Sequence, residues 1–506
     1  MKIILSDKVY IPRKLYDILP PAFQKEIIAL FTKVSINPER CPNFNSSIPC
    51  PLVVEKGRRA CYKCPQAKKV IKLYRKTPTK FIFERGDVKL TNKILKRIKN
   101  CFYLLYGKKL KSVDRRTYFK LPVSMQFNIK YSKLEEPRKT DQIKTCKEWL
   151  KKRYGQIVAP PRFGKSAVVA ILASKSKTRV AIIVHQKELL DQFYSTFMKF
   201  TDIKERGKIS GHKLITINPS PQEVEKLSIC LFTWQQFISK KQGKKRLKEI
   251  RDKFGLIVVD EAHRSSSSVY STIISRFKAK YRCGVTATPK RRDELEFRHN
   301  LIIGPPTVYG GSEQLSCEYS FIHTDWIMPQ YKKMNNMTWN YLWSRMATDK
   351  KRNQVIIDYA KKDLKKGHKI IIPVKRVKHA EYLASELEKT EYNVVCFVAS
   401  VRNREQVTKD IRKGKYDCVV AIRQLVSLGF DAPPMSALYL AVPSFDSSNL
   451  YQEYSRIRTV YSGKKKPLIR FFIDDGGIGY AFKKKAEAEM KKRGFKEDQL
   501  ITGTGT

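Results

Sequence analysis

A loop between an apolar strand and an apolar helix carries residues suited to holding phosphate groups. The segment consists of Ala159, Pro160, Pro161, Arg162, Phe163, Gly164, Lys165 and Ser166. Backbone N–H groups at a helix start cradle phosphates, while Lys165 can reach the terminal phosphates of a nucleotide and Ser166 can ligate Mg²⁺. The spacing therefore predicts a site for a nucleoside triphosphate with Mg²⁺.

A pair of carboxylates follows about 95 residues after Lys165. The apolar run Leu256–Val259 ends in Asp260 and Glu261. At the end of a buried strand, Asp260 can hold Mg²⁺ through water, and Glu261 can orient and deprotonate an attacking water. The alternative is a strand that merely ends in an acidic loop, but its position behind a phosphate loop argues against that. The pair predicts hydrolysis of the bound nucleotide.

Short β-branched runs alternate with helical stretches in two parts of the chain. Such alternation predicts parallel sheets flanked by helices, an α/β fold. In the first part the predicted strands are Gln156–Val158, Val180–Val184, Ile229–Phe232 and Leu256–Val259. In the second part they are Lys369–Val374, Val394–Val398, Cys418–Ile422, Ala437–Val442 and Ile469–Ile473. We expect a basic N-terminal α+β domain at 1–130, a first lobe at 131–305, a linker at 306–350 and a second lobe at 351–506.

The charge of the chain predicts a polyanionic partner. There are 102 Lys and Arg against 47 Asp and Glu, for a net charge of +55. Residues 1–130 hold 30 of these cations and 8 of the acids, so this quarter is the most basic. Nucleic acid is the expected partner, although a membrane surface also attracts cations. Because no apolar run spans a bilayer and no signal peptide is evident, we expect a soluble intracellular protein.

Asp260, Glu261, Ala262 and His263 together resemble motif II of superfamily 2 helicases and translocases. This resemblance implies two RecA-like lobes that bind ATP and Mg²⁺, with Gln142 contacting the adenine. It also implies that His263, Thr286 and Thr288 couple the nucleotide site to the nucleic acid. Residues similar to the family's nucleic-acid contacts are His185, Gln186, Thr233, Gln235, Lys290 and Arg291. For Lys290 and Arg291, a solvated basic turn is an equal alternative.

The second lobe resembles the same family with two departures. Gly429 and Asp431 are similar to motif V, and Gln452 with Arg456 to motif VI, which implies that all four lie near the nucleotide. Arg456 is the predicted arginine finger. Ser455 stands where the family has Gly, and Thr459 where it has a second Arg. Whether Arg458 replaces that missing arginine stays open.

Three segments resemble one branch of the superfamily, which contains the excision-repair translocase of transcription factor IIH and the tailed-phage branch-migration helicases. They are His185–Gln192, Arg282–Asp293 and the pair Arg352 and Asn353. This resemblance implies action on duplex, forked or four-way-junction DNA, and also on single strands. A phage-encoded member would work in the host-cell cytoplasm. Two alternatives remain: a nucleic-acid-binding or annealing factor with a vestigial ATPase, which the irregular motif VI favours, and an RNA helicase.

Four cysteines lie close together in the basic N-terminal region. They are Cys41, Cys50, Cys61 and Cys64. Four thiolates can hold structural Zn²⁺ in tetrahedral geometry and would staple a segment that has little apolar mass. We therefore predict a zinc module at 41–64. The alternative is four reduced cysteines in an irregular loop.

Overall fold

The computed structural model divides the chain into two compact units, 1–312 and 313–506. The described residues are 2–36, 68–134, 138–239, 242–263, 268–289, 296–311, 314–329, 336–424, 432–445 and 447–498. No helix in these ranges is long and apolar enough to cross a membrane. The seven cysteines in these ranges are free thiols.

The N-terminal part of the first unit is built on a five-stranded sheet in the order β5-β6-β2-β1-β7. Its strands, together with the separate antiparallel pair β3–β4, are β1 Lys2–Leu5, β2 Val9–Pro12, β3 Thr32–Ile36, β4 Lys68–Lys72, β5 Tyr74–Lys76, β6 Lys80–Phe83 and β7 Lys111–Asp114. The helices are α1 Arg13–Asp17, α2 Pro21–Leu30 and α3 Val88–Tyr106. Asp87 caps the long helix α3, and Gly107 ends it in the left-handed conformation. This part has α+β architecture, as the sequence predicts.

The rest of the first unit is built on a seven-stranded parallel sheet in the order β12-β13-β9-β14-β15-β8-β16. Its strands are β8 Gly155–Val158, β9 Val180–Val184, β12 Ile215–Ile217, β13 Ile229–Thr233, β14 Leu256–Asp260, β15 Tyr281–Thr286 and β16 Pro306–Tyr309; β10 Lys208–Ile209 and β11 His212–Lys213 form a separate hairpin. The helices are α4 Arg138–Lys152, α5 Lys165–Ser176, α6 Glu188–Phe200, α7 Pro221–Val224, α8 Gln242–Ile250, α9 Ser268–Arg276 and α10 Glu296–Ile302. Two apolar clusters cover the sheet, as expected for parallel strands flanked by helices.

Buried arginines join the N-terminal part to this sheet. Arg85 donates to the carbonyl of Ala279 at 2.6 Å and Arg282 to the carbonyl of Asp7 at 3.0 Å. Both guanidinium groups are almost fully buried. At Gly86 the two parts touch so closely that an added Cβ would lie 2.2 Å from the carbonyl carbon of Ile302. The N-terminal part and the first parallel sheet therefore form one unit.

The second unit contains another seven-stranded parallel sheet, in the order β19-β20-β18-β21-β22-β17-β23. Its strands are β17 Glu318–Ile327, β18 Ile370–Val374, β19 Val394–Phe397, β20 Cys418–Ile422, β21 Ala437–Leu440, β22 Leu468–Asp475 and β23 Lys496–Glu497. The helices are α11 Asn336–Thr348, α12 Lys350–Lys365, α13 Val377–Glu388, α14 Arg404–Lys413, α15 Ser447–Tyr454 and α16 Gly477–Lys492. The two parallel sheets confirm the predicted pair of RecA-like lobes.

The segment 306–350, predicted as a linker, contributes regular elements to both units. Strand β16 lies at the edge of the first parallel sheet beside β8. Strand β17 pairs with β22 and β23 in the second sheet, and α11 follows it.

Buried ion pairs fix the interior of the second unit. Arg352 donates to Asp474 at 2.7 Å, and both side chains are fully buried. Arg470 bonds both carboxylate oxygens of Asp363 at 2.9 Å and also reaches Asp498 at 2.7 Å. The attraction within each pair, together with these hydrogen bonds, offsets the cost of removing the charges from water.

Candidate functional site

The phosphate loop lies where the sequence predicts, between the end of β8 and the start of α5. Gly164 precedes the helix with φ +81°, a conformation that glycine adopts without strain. Gln142 of α4 supports the loop from below, because its Nε2 donates to the carbonyl of Phe163 at 2.7 Å. A Cβ at Gly164 would lie 2.4 Å from that same Nε2. The loop is thus held close to α4, with Lys165 and Ser166 opening α5.

Other backbone contacts fix the two ends of the loop. The N–H of Ala159 donates to the carbonyl of Thr286 at 2.9 Å. A guanidinium nitrogen of Arg138 donates to the carbonyl of Arg162 at 3.2 Å. Arg162 itself has φ +70°, which is rare for a residue with a side chain. Phe163 is fully buried and packs against Gly310, whose added Cβ would lie 2.8 Å from the ring.

The two carboxylates stand two strands away at the same edge of the sheet. Strand β15 lies between β14 and β8, with Asp260 opposite Val285 and Thr286 opposite Val158. Since carboxyl ends of parallel strands share an edge, the acidic pair and the phosphate loop meet there. Glu261 leaves the strand at φ +46°, a strained turn for a non-glycine residue.

His263 joins this acidic turn to the neighbouring strand. Its Nδ1 lies 3.2 Å from Oε2 of Glu261 and 3.0 Å from the hydroxyl of Thr286. The N–H of Thr288 in turn donates to that hydroxyl at 3.2 Å. The three residues predicted to couple the nucleotide site to nucleic acid are therefore in contact through the Thr286 hydroxyl.

The charge of Glu261 is set by its surroundings. Burial alone raises the pKa of a carboxyl group, but the hydrogen bond from His263 and the positive charge of Lys165 outweigh it and lower the pKa of Glu261 below its usual value. Glu261 is therefore ionised at neutral pH. An ionised carboxylate at this position can accept a proton.

The predicted nucleic-acid contacts of the first unit adjoin each other on two neighbouring strands. Thr233 at the end of β13 lies opposite Val184 at the end of β9. Beyond these strand ends, Nε2 of Gln235 donates to the carbonyl of His185 at 2.8 Å, with Gln186 next in the chain. Gln235 is exposed, so this edge is open to a partner. Lys290 and Arg291 lie outside the described residues.

In the second unit, Arg456 lies in a 3-10 turn directly after α15. Burial lowers the pKa of Arg456 to about 10 although Glu453 opposes the shift, so the guanidinium stays charged at neutral pH. Ser455, which stands where the family has Gly, is buried, and its hydroxyl donates to the carbonyl of Tyr451 at 2.6 Å. The turn thus accommodates the serine through a hydrogen bond.

Arg458 is engaged within the second unit. Its Nε donates to the carbonyl of Leu315 at 2.8 Å, and its guanidinium lies 4.9 Å from the ring centre of Phe495. Gln452 is half-buried on α15. Gly429 and Asp431 lie outside the described residues, as do Cys41, Cys50, Cys61 and Cys64. Within the described ranges, no group of three or more His, Cys, Asp or Glu is arranged to hold a metal ion.

A pocket that the sequence analysis missed lies at the carboxyl edge of the second sheet. Its volume is about 490 Å³, and its walls include Trp339, Trp343 and Phe445 beside Lys375 and Arg423. The two indole rings stack 5.0 Å apart. The cluster of tryptophans after residue 325 was the available clue, but nothing in the sequence brings it to the ends of β18 and β20.

Comparison with known proteins agrees with the motif series. Residues 135–291 match the family described as Type III restriction enzyme, res subunit. The DNA 3'-5' translocase XPB2 of Sulfurisphaera tokodaii is 29% identical over 178 residues, which are 35% of this chain and 37% of that protein. Probable helicase D10 of Escherichia phage T5 is 22% identical over 344 residues, 66% of this chain and 71% of that protein.

The crystal structure of the Pyrococcus furiosus Hef helicase domain is also similar, with a TM-score of 0.44 and 15% identity over 71% of this chain and 98% of that chain. The chain spans only 37% of the archaeal translocase and 64% and 58% of two viral helicases that it matches. The sequence matches confirm the resemblance to DNA helicases and translocases of superfamily 2.

Proposed function

We propose that this protein is an ATP-dependent DNA helicase or translocase that remodels branched DNA. The observation that carries the proposal is the meeting of three parts at one edge of the first sheet. These parts are the phosphate loop at Lys165, the ionised Glu261 and the Thr286 hydroxyl contacted by His263. Hydrolysis and its coupling to a nucleic-acid surface need all three.

The site fits ATP with Mg²⁺. Oε1 of Gln142 is buried and has no hydrogen-bond partner among the described residues, so it can accept a hydrogen bond from an adenine amino group. The hydroxyl of Thr288 is likewise buried and without an acceptor or donor in that part of the chain. Ser166 and Asp260 are the residues that would hold Mg²⁺, which neutralises phosphate charge when bound.

The residues of the chain divide the chemical work. Lys165 and the N–H groups that open α5 bind the terminal phosphates. Glu261 orients the attacking water and accepts its proton, since its carboxylate is ionised. Arg456 of the second unit remains charged and is our candidate for stabilising charge on the transferred phosphate. Gln452, Gly429 and Asp431 are assigned to the nucleotide by resemblance alone, and Arg458 is assigned to a structural role because of its bond to Leu315.

His263 is placed to transmit the state of the nucleotide site. It contacts the catalytic Glu261 on one side and the Thr286 hydroxyl on the other. The His263 ring therefore bridges the catalytic carboxylate and the Thr286 hydroxyl. The hydroxyl of Thr286 accepts a hydrogen bond from the N–H of Thr288, and Lys290 and Arg291 come two and three residues later in the sequence.

DNA is the proposed partner. The net charge of +55 and the exposed Gln235 next to His185 support a nucleic-acid surface on the first unit. The match to a DNA translocase favours DNA, whereas one of the viral relatives is described as a putative ATP-dependent RNA helicase. The preference for forks and four-way junctions over plain duplex rests on the motif resemblance alone. The predicted zinc module at 41–64 would add a further basic surface. We propose that the protein works inside the cell whose DNA it remodels.

The test is the ATPase rate of wild type and Glu261→Gln with no nucleic acid, single strand, duplex, four-way junction and RNA. We expect the largest stimulation with the junction or duplex, and a loss of 100-fold or more in the variant, because removing a group that acts in the transition state costs about this much. Glu148→Gln, an exposed residue on α4, is the matched control and should keep the wild-type rate.

Two outcomes would point to the alternatives. DNA binding without stimulated hydrolysis in the wild type would favour an annealing factor with a vestigial ATPase. Greater stimulation by RNA than by any DNA would favour an RNA helicase.

A further inference from the structure

A basic groove lies on the outside of the first unit, away from the phosphate loop. The groove has a volume of about 580 Å³ and runs between α8 and α9 to the N-terminal sheet. Helix α8 contributes Lys244 and Lys248, and Arg251 follows at its end. Arg276 ends α9 on the other wall. Arg251 and Arg276 precede β14 and β15, whereas Asp260 and Thr286 are the last residues of those strands. The groove therefore reaches the opposite edge of the sheet from the nucleotide site.

The N-terminal part closes the groove with three more cations, Lys8, Lys72 and Arg75. Two carboxylates also line it, but both are engaged. Glu84 forms an ion pair with Lys8, and Asp7 accepts a hydrogen bond from the hydroxyl of Tyr10 at 2.8 Å. In the part of the chain that the structure describes, the other six cations form no ion pair. Such an excess of like charges across a narrow space repels unless an anion fills it.

The charges lie along a line instead of converging on one point. Lys244, Lys248 and Arg251 are spaced by four and three residues, so they share one face of the helix over about 10 Å. That length corresponds to roughly three phosphates of one DNA strand, at about 3.4 Å of axis each. A compact polyphosphate would be better held by cations that converge.

The groove also connects with the predicted nucleic-acid contacts. Gly243 at the start of α8 abuts the turn that follows β13, because an added Cβ would lie 2.7 Å from the backbone of Phe237. Gln235 lies in that same turn, at the edge that holds Thr233. A nucleic-acid backbone that contacts Gln235 can therefore run along α8 to Arg251 and the N-terminal sheet.

We propose that this groove binds the phosphate backbone of nucleic acid and continues the track from the motif edge to the N-terminal sheet. The inference rests on the proposed function for the identity of the polyanion. Its consequence is that the first unit grips DNA at two places, and that the N-terminal part adds binding energy through its seam with the lobe.

The experiment compares Lys244→Glu/Lys248→Glu with Lys245→Glu/Lys226→Glu in the full chain. Both pairs change the net charge equally, and Lys245 and Lys226 are exposed but do not line the groove. Affinity for 12-base-pair and 40-base-pair duplexes is measured by fluorescence anisotropy across a range of salt concentrations. Thermal melting of each variant checks that it is folded.

We expect the groove variant to bind the long duplex about tenfold more weakly in ~0.1 M salt, with the slope of log affinity against log salt reduced by about 2, one for each lysine. The control variant should lose much less affinity for the long duplex. The two variants should have the same affinity for the short duplex. Equal losses of affinity in both pairs of variants, or an unchanged salt slope in the groove variant, would overturn the proposal that the groove binds the nucleic-acid backbone.

Two further results separate the possible sources of failure. If the wild type binds no nucleic acid at all, the proposed function fails together with the groove. If DNA binding is identical in both pairs but tripolyphosphate titration shows a saturable site that only the groove variant loses, the groove serves a soluble polyphosphate and the backbone assignment is wrong.

Discussion

The carboxyl edge of the first parallel sheet and the interior of the second unit both keep polar groups away from water, but in different ways. At the first edge, Oε1 of Gln142 and the Thr288 hydroxyl have no partner within the described residues, and Glu261 sits in a strained turn. In the second unit, Arg352 and Arg470 are buried against carboxylates. At the nucleotide site the unpartnered oxygens are available to a ligand, whereas in the second unit the ion pairs stabilise the fold, although Nη1 of Arg352 has no partner among the described residues.

The largest expected effect is on the second unit. Arg352→Ala leaves the carboxylate of Asp474 buried without its partner, and we expect a loss of about 3–5 kcal/mol in the free energy of unfolding. Urea denaturation followed by tryptophan fluorescence measures it. Lys389→Ala breaks the exposed pair with Glu386 and should cost about 0.5 kcal/mol or less. A loss at Arg352 no larger than at Lys389 would contradict the comparison.

The next largest effect is expected at the nucleotide site, at the carboxyl edge of the first parallel sheet, and it concerns ATP turnover alone. Lys165→Ala removes a phosphate contact, so we expect the ATPase rate to fall about 10²–10³-fold while DNA affinity and unfolding free energy stay near wild type. Lys175→Ala, an exposed position in the last turn of the same helix, should leave all three unchanged. Normal DNA-stimulated ATPase in Lys165→Ala would remove the nucleotide-site assignment.

A smaller effect is the pH dependence of the second unit. Burial lowers the pKa of His379 from 6.5 to about 3, and its Nε2 lies 2.9 Å from Oδ1 of Asn353. Because the unfolded chain binds this proton more readily, stability falls as the pH drops from about 6.5 towards 3, by about 2 kcal/mol at pH 5. Denaturation at pH 7 and pH 5 tests this. His379→Gln should flatten the dependence, and His212→Gln, at an exposed position, should not.

The smallest expected effect on stability tests most directly whether an unpartnered polar group serves a ligand or the fold. Gln142→Leu removes a buried oxygen that has no partner, which offsets in part the loss of the hydrogen bond to the Phe163 carbonyl, so we expect the unfolding free energy to fall by only about 1 kcal/mol. The same change removes the bond to the Phe163 carbonyl and the predicted adenine contact, and KM for ATP should rise about tenfold. A large stability loss with unchanged KM would mean that Gln142 is structural.

Strands and motifs were predictable because their information is local. The runs Val180–Val184 and Cys418–Ile422 are strands with those bounds, and the phosphate loop lies between a strand and a helix as its spacing requires. Apolar β-branched runs leave little choice of structure when both faces of a sheet are buried. The motif resemblance assigned His263, Thr286 and Thr288 to one coupling role, but the contact between Thr286 and His263 is seen only in the structure.

Long-range contacts were not predictable from one sequence. Arg85 and Arg282 look like ordinary members of a basic chain, yet both are buried in the seam between the N-terminal part and the first sheet. The pairing of Arg352 with Asp474 spans 122 residues. A cation with a distant partner has no local pattern, so charge counts assign it to the surface.

The bond between Arg282 and the carbonyl of Asp7 also sets the order of events during synthesis. The two residues are 275 positions apart, so the seam stays open until the chain has grown past residue 282. At about 5–20 residues per second, the first strands wait roughly 15–60 s for that partner. During this interval the face of the N-terminal part that forms the seam stays without its partner.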